Sequence, residues 1–481
     1  MKRIMTGLVI LVLTIVPLQD CMGAQRGQTA PQRSLKGAWQ GTLKVPGTAL
    51  RIVFNFVEKP GGVFAATLDS PDQGAKGIPA DTVVLNDSLV QIPVRVIGGL
   101  FEGKLIAGAD SIVGSWKQGG VVLPLTVRYV GAEAEAPKRP QEPKKPYPYK
   151  EEEVSYPNER AGIILAGTLT LPEGKGPYPA VILITGSGPQ DRDETIFGHR
   201  PFLVLSDYLT RRGIAVLRSD DRGMGKSTGD FKTATSVDFA GDVESALHYL
   251  ESRQDIRHER IGLIGHSEGG MIAPMVAARS KDVAFIVMMA GTGVTGEELI
   301  LKQAALISAA MGATEKEVKQ QDETSRKVYA IVESGNDSAT THTRLKEIFT
   351  DAARRTDTSR TQQPQANDAV IEAQIRQVTS PWFRFFLTCD PRPILKKVSC
   401  PVLAINGEKD LQVPPEQNLP EIEAALREGG NGDFTVRELP GLNHLFQTSE
   451  HGRPDEYGKI EETISPSALS LMGDWIVKHC K

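Results

Sequence analysis

Ser267 is the residue of this chain whose flanking sequence most strongly suggests a catalytic role. It stands at the centre of Gly265-His266-Ser267-Glu268-Gly269, a G-x-S-x-G pattern, with the apolar run IGLIG before the serine and the helix-compatible run GGMIAP after it. That order predicts a strand, a tight turn and a helix, in which the glycines permit a strained crossing and the serine is lifted above the sheet at a helix N-terminus. A serine held in this way is a candidate nucleophile, whereas a Gly and Ser pair in a loop is ordinary turn chemistry.

A serine is a poor nucleophile by itself, so a base and an orienting carboxylate must come from elsewhere in the chain. In this kind of turn they follow the serine in the order Asp or Glu, then His. Asp410 comes after the apolar run PVLAING, and His444 comes after the run FTVREL. His451 is a rival base, and His444 is preferred because it comes sooner after its run. His266 adjoins Ser267 and is expected to point elsewhere.

The oxyanion that forms during attack on a carbonyl needs two backbone N–H donors. One is expected from Glu268, the residue after the nucleophile, and the other from Ser187, in the segment ITGSGPQDRDE that follows an earlier apolar run. Gln190 and Arg192 in the same segment are candidates for substrate binding at the mouth of the site. A solvated turn is the alternative interpretation for both side chains.

The aromatic segment SPWFRFF supplies two further candidates for substrate binding, Trp382 and Phe383. Core packing is the default interpretation of such a cluster, since aromatic side chains dominate protein cores. The alternative is that the segment lines an apolar acyl pocket. Under that alternative, Trp382→Ala changes the chain-length preference for ester substrates.

Two other kinds of site are not supported by the sequence. Gly225-Lys226-Ser227 matches the end of a phosphate-binding loop, but the first glycine of G-x-x-x-x-G-K-[ST] falls on Asp220. The sequence has no H-E-x-x-H motif and no paired zinc-type spacing of cysteines. No metal and no other cofactor is therefore expected.

The elements that must position these residues belong to two predicted domains. Residues 35–130 consist of short runs that alternate apolar and polar residues between Gly, Pro, Asp and Asn, which predicts a small all-β sandwich or barrel. Residues 131–150 are rich in Pro, Lys and Glu and are predicted to be a semi-rigid linker.

The second predicted domain covers residues 151–481. Six short apolar runs, each ending in Gly, Asp, Asn or Ser, alternate with helical patterns, which predicts a doubly wound, mostly parallel α/β sheet. The polar residues at the run ends then meet at the carboxyl edge of the sheet, where such folds bind ligands. About residues 293–397 are helical without a buried-strand run and are predicted to form a cap, with helical packing unrelated to the site as the alternative.

Composition and the N-terminal segment limit the partners and the location. A formal net charge of −4 and a pI near 6.1 give no electrostatic signature for nucleic acid. Lys2 and Arg3 precede an apolar stretch too short for a bilayer span, which predicts a signal peptide over residues 1–24 and an exported chain, whether periplasmic, secreted or a surface lipoprotein. Cys21 is an alternative site for a lipid anchor.

Cys389 and Cys400 are close enough in sequence to pair outside a reducing compartment, and unpaired thiols are the default.

Together, the segments GHSEGG, DDRGMGKST, INGEKDLQVP and GLNH resemble the α/β-hydrolase superfamily across residues 151–481. More narrowly, the chain is similar to exported bacterial serine hydrolases with an N-terminal β domain, which are grouped near prolyl-oligopeptidase-like and dienelactone-hydrolase-like proteins. The resemblance implies a triad of Ser267, Asp410 and His444 that hydrolyses small-molecule carboxylic esters through an acyl-enzyme.

Two departures from these groups stand out. Dienelactone hydrolases use a cysteine where this chain has Ser267. Large oligopeptidases carry a β-propeller, for which the residues before the linker are too few.

A peptidase or aminopeptidase with the same triad is the alternative function, and a non-enzymatic protein that binds glycan or lipid through the β domain is the third interpretation. The sequence does not determine the oligomeric state.

Overall fold

The computed structural model describes residues 35–45, 48–59, 63–71, 75–86, 88–106, 110–118, 121–131, 138–356 and 364–480. The predicted signal peptide over residues 1–24 and the candidate anchor Cys21 lie outside the described residues. By contacts between Cα atoms, the chain divides into two compact units. One unit comprises Met1–Pro137 and Thr356–Val370, and the other comprises Lys138–Arg355 and Ile371–Lys481.

The first unit contains a nine-stranded sheet in which every neighbouring pair is antiparallel. Its order is β4-β3-β2-β1-β9-β8-β7-β6-β5. The alternation of apolar and polar residues places Trp39, Phe54, Phe101 and Trp116 in one buried cluster. The predicted all-β domain is therefore confirmed, as one continuous sheet rather than two stacked sheets. The strands are β1 Gly37–Val45, β2 Thr48–Lys59, β3 Val63–Ser70, β4 Ala75–Pro79, β5 Val84–Asn86, β6 Leu89–Val94, β7 Gly99–Leu105, β8 Ser111–Gln118 and β9 Val121–Gly131.

The second unit is built on an eight-stranded sheet of order β10-β11-β13-β12-β14-β15-β16-β17. The six strands from β12 to β17 run parallel and coincide with the six predicted apolar runs. The sequence analysis did not predict β10 and β11, which add an antiparallel edge to the sheet. The strands are β10 Lys150–Asn158, β11 Ile163–Leu171, β12 Tyr178–Ile184, β13 Ala215–Ser219, β14 Ile256–His266, β15 Val283–Met289, β16 Val402–Gly407 and β17 Phe434–Leu439.

Helices cover the faces of this sheet and fill the interval between β15 and β16. The parallel strands are nearly continuous in apolar residues because helices bury them on both faces. Six helices, α4 to α9, occupy the region predicted to be a cap. The helices are α1 Pro201–Thr210, α2 Ser236–Glu251, α3 Glu268–Ala277, α4 Gly296–Ala310, α5 Glu315–Glu333, α6 Ser338–Thr356, α7 Pro364–Val378, α8 Pro381–Thr388, α9 Arg392–Leu395, α10 Pro415–Glu428 and α11 Pro466–Cys480.

Local sequence accounts for where the helices that flank the site begin. Thr235 caps α2 in a capping box with Asp238, and Thr295 caps α4 in the same way with Glu298. Each box satisfies backbone N–H groups that have no partner within the helix. Ser380 accepts a hydrogen bond from the backbone N–H of Phe383 and so starts α8. No helix in the described part of the chain is both long enough and apolar enough to cross a bilayer.

Residues within the predicted linker pack on the second unit. The guanidinium of Arg139 donates to the backbone oxygens of Phe197 and Gly458, at 3.1 and 3.0 Å. Tyr149 is buried, and its hydroxyl donates to Asp207 at 3.0 Å. Ordered contacts of the second unit therefore begin before residue 151, because side chains of the predicted linker hydrogen-bond to it in a way that composition did not reveal.

Candidate active site

The turn between β14 and α3 holds Ser267 in a strained backbone conformation. Its φ is +54° and its ψ is −115°, which a non-glycine residue rarely adopts. Its backbone N–H donates to the oxygen of Met289 in β15 at 2.8 Å, which fixes the turn to the neighbouring strand. From 261 to 270, residue 267 is the one position that is partly exposed among buried neighbours. The fold thus presents this serine at the N-terminus of α3.

The glycines of the motif allow the strand and helix to cross closely. A Cβ on Gly265 would overlap the backbone oxygen of Gly269, and a Cβ on Gly269 would overlap the backbone oxygen of Ile184 in β12. Both positions therefore require glycine for steric reasons. The sequence pattern and the crossing geometry agree with each other.

Asp410 and His444 are in direct contact. Nδ1 of His444 lies 2.8 Å from Oδ2 of Asp410, and both residues are buried. Oδ1 of Asp410 accepts the backbone N–H groups of Gln412 and Val413 at 2.8 and 2.9 Å. Because the carboxylate is held on both oxygens, it fixes the orientation of the imidazole. The rival His451 is half exposed, and its ring nitrogen lies 3.8 Å from Glu450.

The loop that carries His444 touches the serine turn through the neighbouring residue His266. Nε2 of His266 lies 3.0 Å from the backbone oxygen of His444, and the two rings lie 4.9 Å apart between centroids. Nδ1 of His266 lies 3.0 Å from Oε1 of Glu194. The expectation that His266 points elsewhere agrees with these two partners. The predicted nucleophile and the predicted base therefore belong to loops in contact with each other.

The two predicted oxyanion donors lie beside the serine. A Cβ on Gly186 would lie 3.3 Å from Cβ of Ser267, so the loop after β12 adjoins the serine turn. The backbone N–H of Gly186 is engaged, since it donates to Oε1 of Glu194 at 2.7 Å. The N–H groups of Ser187 and Glu268 have no acceptor among the residues that the structure describes. The geometry leaves these two N–H groups available to a ligand.

The side chain of Glu268 has a role that the sequence analysis did not predict. Its carboxyl is buried and accepts hydrogen bonds from Ser236 at 2.6 Å and from Nε1 of Trp382 at 2.8 Å. Burial raises the pKa of this carboxyl above its ordinary value. One side chain therefore joins α2 and α8.

Trp382 and Phe383 occupy different environments. Trp382 is half buried and stacks on Phe386, with ring centroids 5.2 Å apart and planes inclined by 17°. Phe383 is buried and packs against Tyr329 with centroids 5.9 Å apart. The structure thus places Trp382 over the start of α3 and Phe383 in the core of the cap, and a substrate contact by either side chain stays a prediction.

Gln190 and Arg192 lie in the loop after β12, where their contacts are with the protein. The backbone N–H of Gln190 donates to Asp221 at 2.9 Å. Arg192 forms a two-pronged ion pair with Asp220, at 3.0 and 2.7 Å, and its third nitrogen donates to Glu153. All the nitrogens of this guanidinium are engaged, which argues for a structural role instead of the predicted substrate contact.

The segment that resembles the end of a phosphate-binding loop also has a structural role. The hydroxyl of Ser227 donates to the backbone oxygen of Asp220 at 2.7 Å and accepts the N–H of Ala166 at 2.9 Å. The side chain of Lys226 donates to Glu153 at 3.2 Å. These contacts tie the segment to β10 and β11.

The sequence analysis also missed buried carboxyls around the site. Asp221 accepts hydrogen bonds from Thr185 and from the N–H of Gln190, and burial raises its pKa well above the ordinary value. Glu194 is buried at a φ of +51°. The segment QDRDE after β12 was a signal for acidic residues near the site, but it did not indicate which of them turn inward. Cys389 and Cys400 are both free thiols, so the pairing considered for them is not formed.

Comparisons of the sequence with known proteins identify a family and several relatives. Residues 161–433 match the X-Pro dipeptidyl-peptidase (S15) family. Esterase EstD of Thermotoga maritima is 28% identical over 316 residues, which cover 65% of this chain and 66% of EstD. An uncharacterized 31.7 kDa protein of the traX-finO intergenic region of Escherichia coli is 26% identical over 322 residues, which cover 66% of this chain and 96% of that protein.

Among solved structures, the alpha/beta hydrolase GrgF from Penicillium sp. sh18 aligns with this chain at 17% identity and a TM-score of 0.41. It covers 69% of this chain and 99% of its own. The family match by itself spans more than half of the present sequence. This protein therefore belongs to the X-Pro dipeptidyl-peptidase (S15) family and is a hydrolase with the α/β-hydrolase fold.

Proposed function

We propose that this hydrolase cleaves carboxylic esters of small molecules, with Ser267 as the nucleophile, His444 as the base and Asp410 as the orienting carboxylate. The observation that carries the proposal is the buried pair of Asp410 and His444, whose loop contacts the turn that holds Ser267. An isolated serine in a strained turn has no means of losing its proton, whereas a serine served by an oriented imidazole does.

In the proposed reaction, Nε2 of His444 accepts the hydroxyl proton of Ser267 as the serine oxygen attacks the ester carbonyl. Asp410 accepts a hydrogen bond from the Nδ1–H group of His444 and stabilises the imidazolium that forms. The tetrahedral intermediate expels the alcohol, which takes its proton from the imidazolium. Water, deprotonated by the same imidazole, then attacks the acyl-enzyme, releases the carboxylic acid and restores the serine.

The backbone N–H groups of Ser187 and Glu268 are proposed to stabilise the oxyanion. Support comes from the neighbouring N–H of Gly186, which is already committed to Glu194, so the next residue is the available donor in this loop. Removing one oxyanion donor in a serine hydrolase costs about 3 kcal/mol of transition-state stabilisation. Two donors are therefore a large part of the rate enhancement expected here.

The similarity to the esterase EstD, at 28% identity, supports the proposal that this chain acts on esters. The first experiment is hydrolysis of p-nitrophenyl esters from acetate to decanoate by the chain and by Ser267→Ala. We expect turnover that falls by about 10⁴-fold or more in Ser267→Ala, together with loss of labelling by a fluorophosphonate probe. Turnover or labelling that persists in the variant contradicts the proposed nucleophile.

Peptide hydrolysis is a second candidate, favoured by the match of residues 161–433 to a family named for X-Pro dipeptidyl-peptidases. The same triad cleaves amides, so the substrate series must decide between the two. We propose a parallel assay of X-Pro p-nitroanilides with Ser267→Ala as the control. A higher kcat/KM for the anilides than for every ester assigns the chain to peptide substrates.

We also infer that the chain is exported, on the basis of its basic N-terminus and the short apolar stretch that follows. Mass spectrometry of the protein made in a bacterial host tests this inference. A mature chain that begins after residue 24 supports simple cleavage, and a lipid-modified Cys21 supports an anchor. An intact N-terminus in the cytoplasm contradicts export.

A further inference from the structure

The proposed mechanism makes no use of His266, although this buried imidazole directly precedes the nucleophile. Both of its partners lie on other loops: Oε1 of Glu194 at 3.0 Å from Nδ1, and the backbone oxygen of His444 at 3.0 Å from Nε2. A backbone oxygen only accepts hydrogen bonds, so Nε2 must carry a hydrogen. The imidazole therefore holds the main chain of the proposed base.

Glu194 completes this connection with a single atom. The same Oε1 that faces His266 accepts the backbone N–H of Gly186 at 2.7 Å, on the loop that supplies the proposed donor Ser187. Glu194 is 2% exposed and has a φ of +51°, a conformation that costs energy in a non-glycine residue. The strained backbone of Glu194 thus accompanies a carboxyl that lies between two loops and contacts both.

We infer that Glu194 and His266 form a positioning pair, which fixes the His444 loop and the Gly186 loop against the serine turn so that base and oxyanion donors are held in reacting geometry. The inference rests on the proposed function of Ser267. The pair joins three loops that come from distant parts of the sequence. Neither residue is proposed to contact the substrate.

The number of hydrogens that His266 and Glu194 share explains why both ionisable groups are needed for these hydrogen bonds. One hydrogen lies on Nε2, and one more is shared between Nδ1 and Oε1, so the pair is neutral as a whole whichever atom holds the second hydrogen. Burial by itself lowers the pKa of His266, but Glu194, the backbone oxygen of His444 and Asp410 together outweigh that effect, and the pKa is raised overall. The ionisable groups that act on this imidazole are Glu194, His444 and, by a coulombic effect, Asp410.

Glu194→Gln tests this arrangement with almost no change of shape. If the amide oxygen accepts the N–H of Gly186, a neutral His266 must place its hydrogen on Nδ1, and Nε2 then faces the oxygen of His444 without one. If the amide is rotated, the N–H of Gly186 loses its acceptor. Either way, one of the three hydrogen bonds is lost.

Two substitutions of His266 separate the two ends of the ring. The amide nitrogen of His266→Gln lies near the position of Nε2 and retains a donor for His444, whereas that of His266→Asn lies near Nδ1 and does not. Thr170→Val is the matched control, because it removes a buried hydroxyl that bonds to Thr210 at 2.6 Å outside the proposed site.

The measurements are kcat and KM for the best ester, the rate of fluorophosphonate labelling of Ser267, and the melting temperature. We expect kcat and the labelling rate to fall by about 10²-fold in Glu194→Gln and His266→Asn, the loss typical of a misplaced reacting group, with KM nearly unchanged. His266→Gln should retain more activity than His266→Asn. The double variant Glu194→Gln with His266→Asn should be no slower than the slower single variant, because both changes break one connection.

The inference is overturned if the wild type is labelled at Ser267 and both variants are labelled at the same rate. It is equally overturned if their losses only follow the melting temperature, as in Thr170→Val, or if the losses multiply in the double variant. A wild type that is not labelled at all counts against the proposed nucleophile instead. The labelling rate keeps the two failures apart, since it does not depend on the choice of ester.

Discussion

His444 and Asp410 are joined by a 2.8 Å hydrogen bond between Nδ1 and Oδ2, and the second carboxylate oxygen is held by two backbone N–H groups. This arrangement leaves the carboxylate one orientation and the imidazole one tautomer, with its hydrogen on Nδ1. Nε2 is then free to accept a proton. The pair therefore has the orientation that a base for Ser267 requires.

Asp410→Asn should disable this base without unfolding the chain. The amide oxygen can still accept from Gln412 and Val413, but the amide nitrogen donates to Nδ1 and leaves the imidazole hydrogen on Nε2. We expect kcat to fall by about 10⁴-fold, measured on p-nitrophenyl esters near neutral pH. His451→Asn, which removes the rival base, is the control and should retain full activity. The assignment fails if the two variants lose activity in the reverse order.

The strained conformation of Ser267 should lower the stability of the folded chain. Its φ of +54° is readily adopted by glycine but not by other residues. We therefore expect Ser267→Gly to be more stable than Ser267→Ala by about 1 kcal/mol, the strain being partly offset by the greater freedom of glycine in the unfolded chain. Urea unfolding of both inactive variants provides the comparison. Equal stabilities would show that the turn is not strained.

The close crossing of β12 and α3 should not tolerate a methyl group. Gly269→Ala places Cβ against the backbone oxygen of Ile184, and we expect it to destabilise the fold by about 3 kcal/mol. Gly432→Ala is the control, because its Cβ would meet no atom within 4 Å. Thermal unfolding of both variants is the measurement. A Gly269→Ala variant as stable as the control is the contrary result.

Trp382 should influence both the Glu268 network and the shape of the site. Trp382→Phe keeps the ring on Phe386 but removes the N–H that reaches Glu268, so we expect a loss of about 1–3 kcal/mol in stability. Trp382→Ala also removes the ring and is expected to shift the preferred ester to a longer acyl chain. The ester series measures the second effect. An unchanged chain-length profile in Trp382→Ala counts against a role in the acyl pocket.

Glu268 should make the fold less stable as the pH rises. Burial raises its pKa above the ordinary value of 4.5, so the folded chain binds more protons than the unfolded chain in this range. The free energy of unfolding from this group therefore falls as the pH rises above the unfolded-state pKa. Glu268→Gln keeps the acceptor for Ser236 and Trp382 but does not titrate.

The stability of Glu268→Gln relative to the wild type should therefore increase as the pH rises above about 4.5. Urea unfolding at several pH values measures this difference. A difference that stays constant over the whole range would mean that the carboxyl does not change its protonation on unfolding. Activity is not the readout, because the backbone of the same residue is a proposed oxyanion donor.

Local sequence patterns correctly predicted the parallel strands and the turn that carries Ser267. The six apolar runs coincide with the six parallel strands, since burial on both faces requires continuous apolar residues. The G-x-S-x-G motif lies at the turn between β14 and α3, because only glycine fits the crossing. Asp410 and His444 follow their strands, and parallel strands bring such ends to one edge of the sheet.

Local sequence patterns did not predict the side-chain contacts between loops. Arg192 was expected at the mouth of the site, yet it pairs with Asp220 in another loop. Glu194 was not singled out, although its carboxyl joins the loops of Gly186 and His266. Nothing in the local pattern distinguishes an acidic residue that turns inward from one that faces water.

Sequence patterns alone predict the two kinds of sheet, the order of the candidate nucleophile, carboxylate and base, and the glycines that the turn needs. These features follow from periodicity and from steric rules that act within a few residues. Which buried carboxyls meet which donors around Ser267 is visible only in the folded chain. Those partners depend on the paths of loops separated by many residues, and hydrogen bonding between such loops is set by their position in space and not by their spacing along the chain.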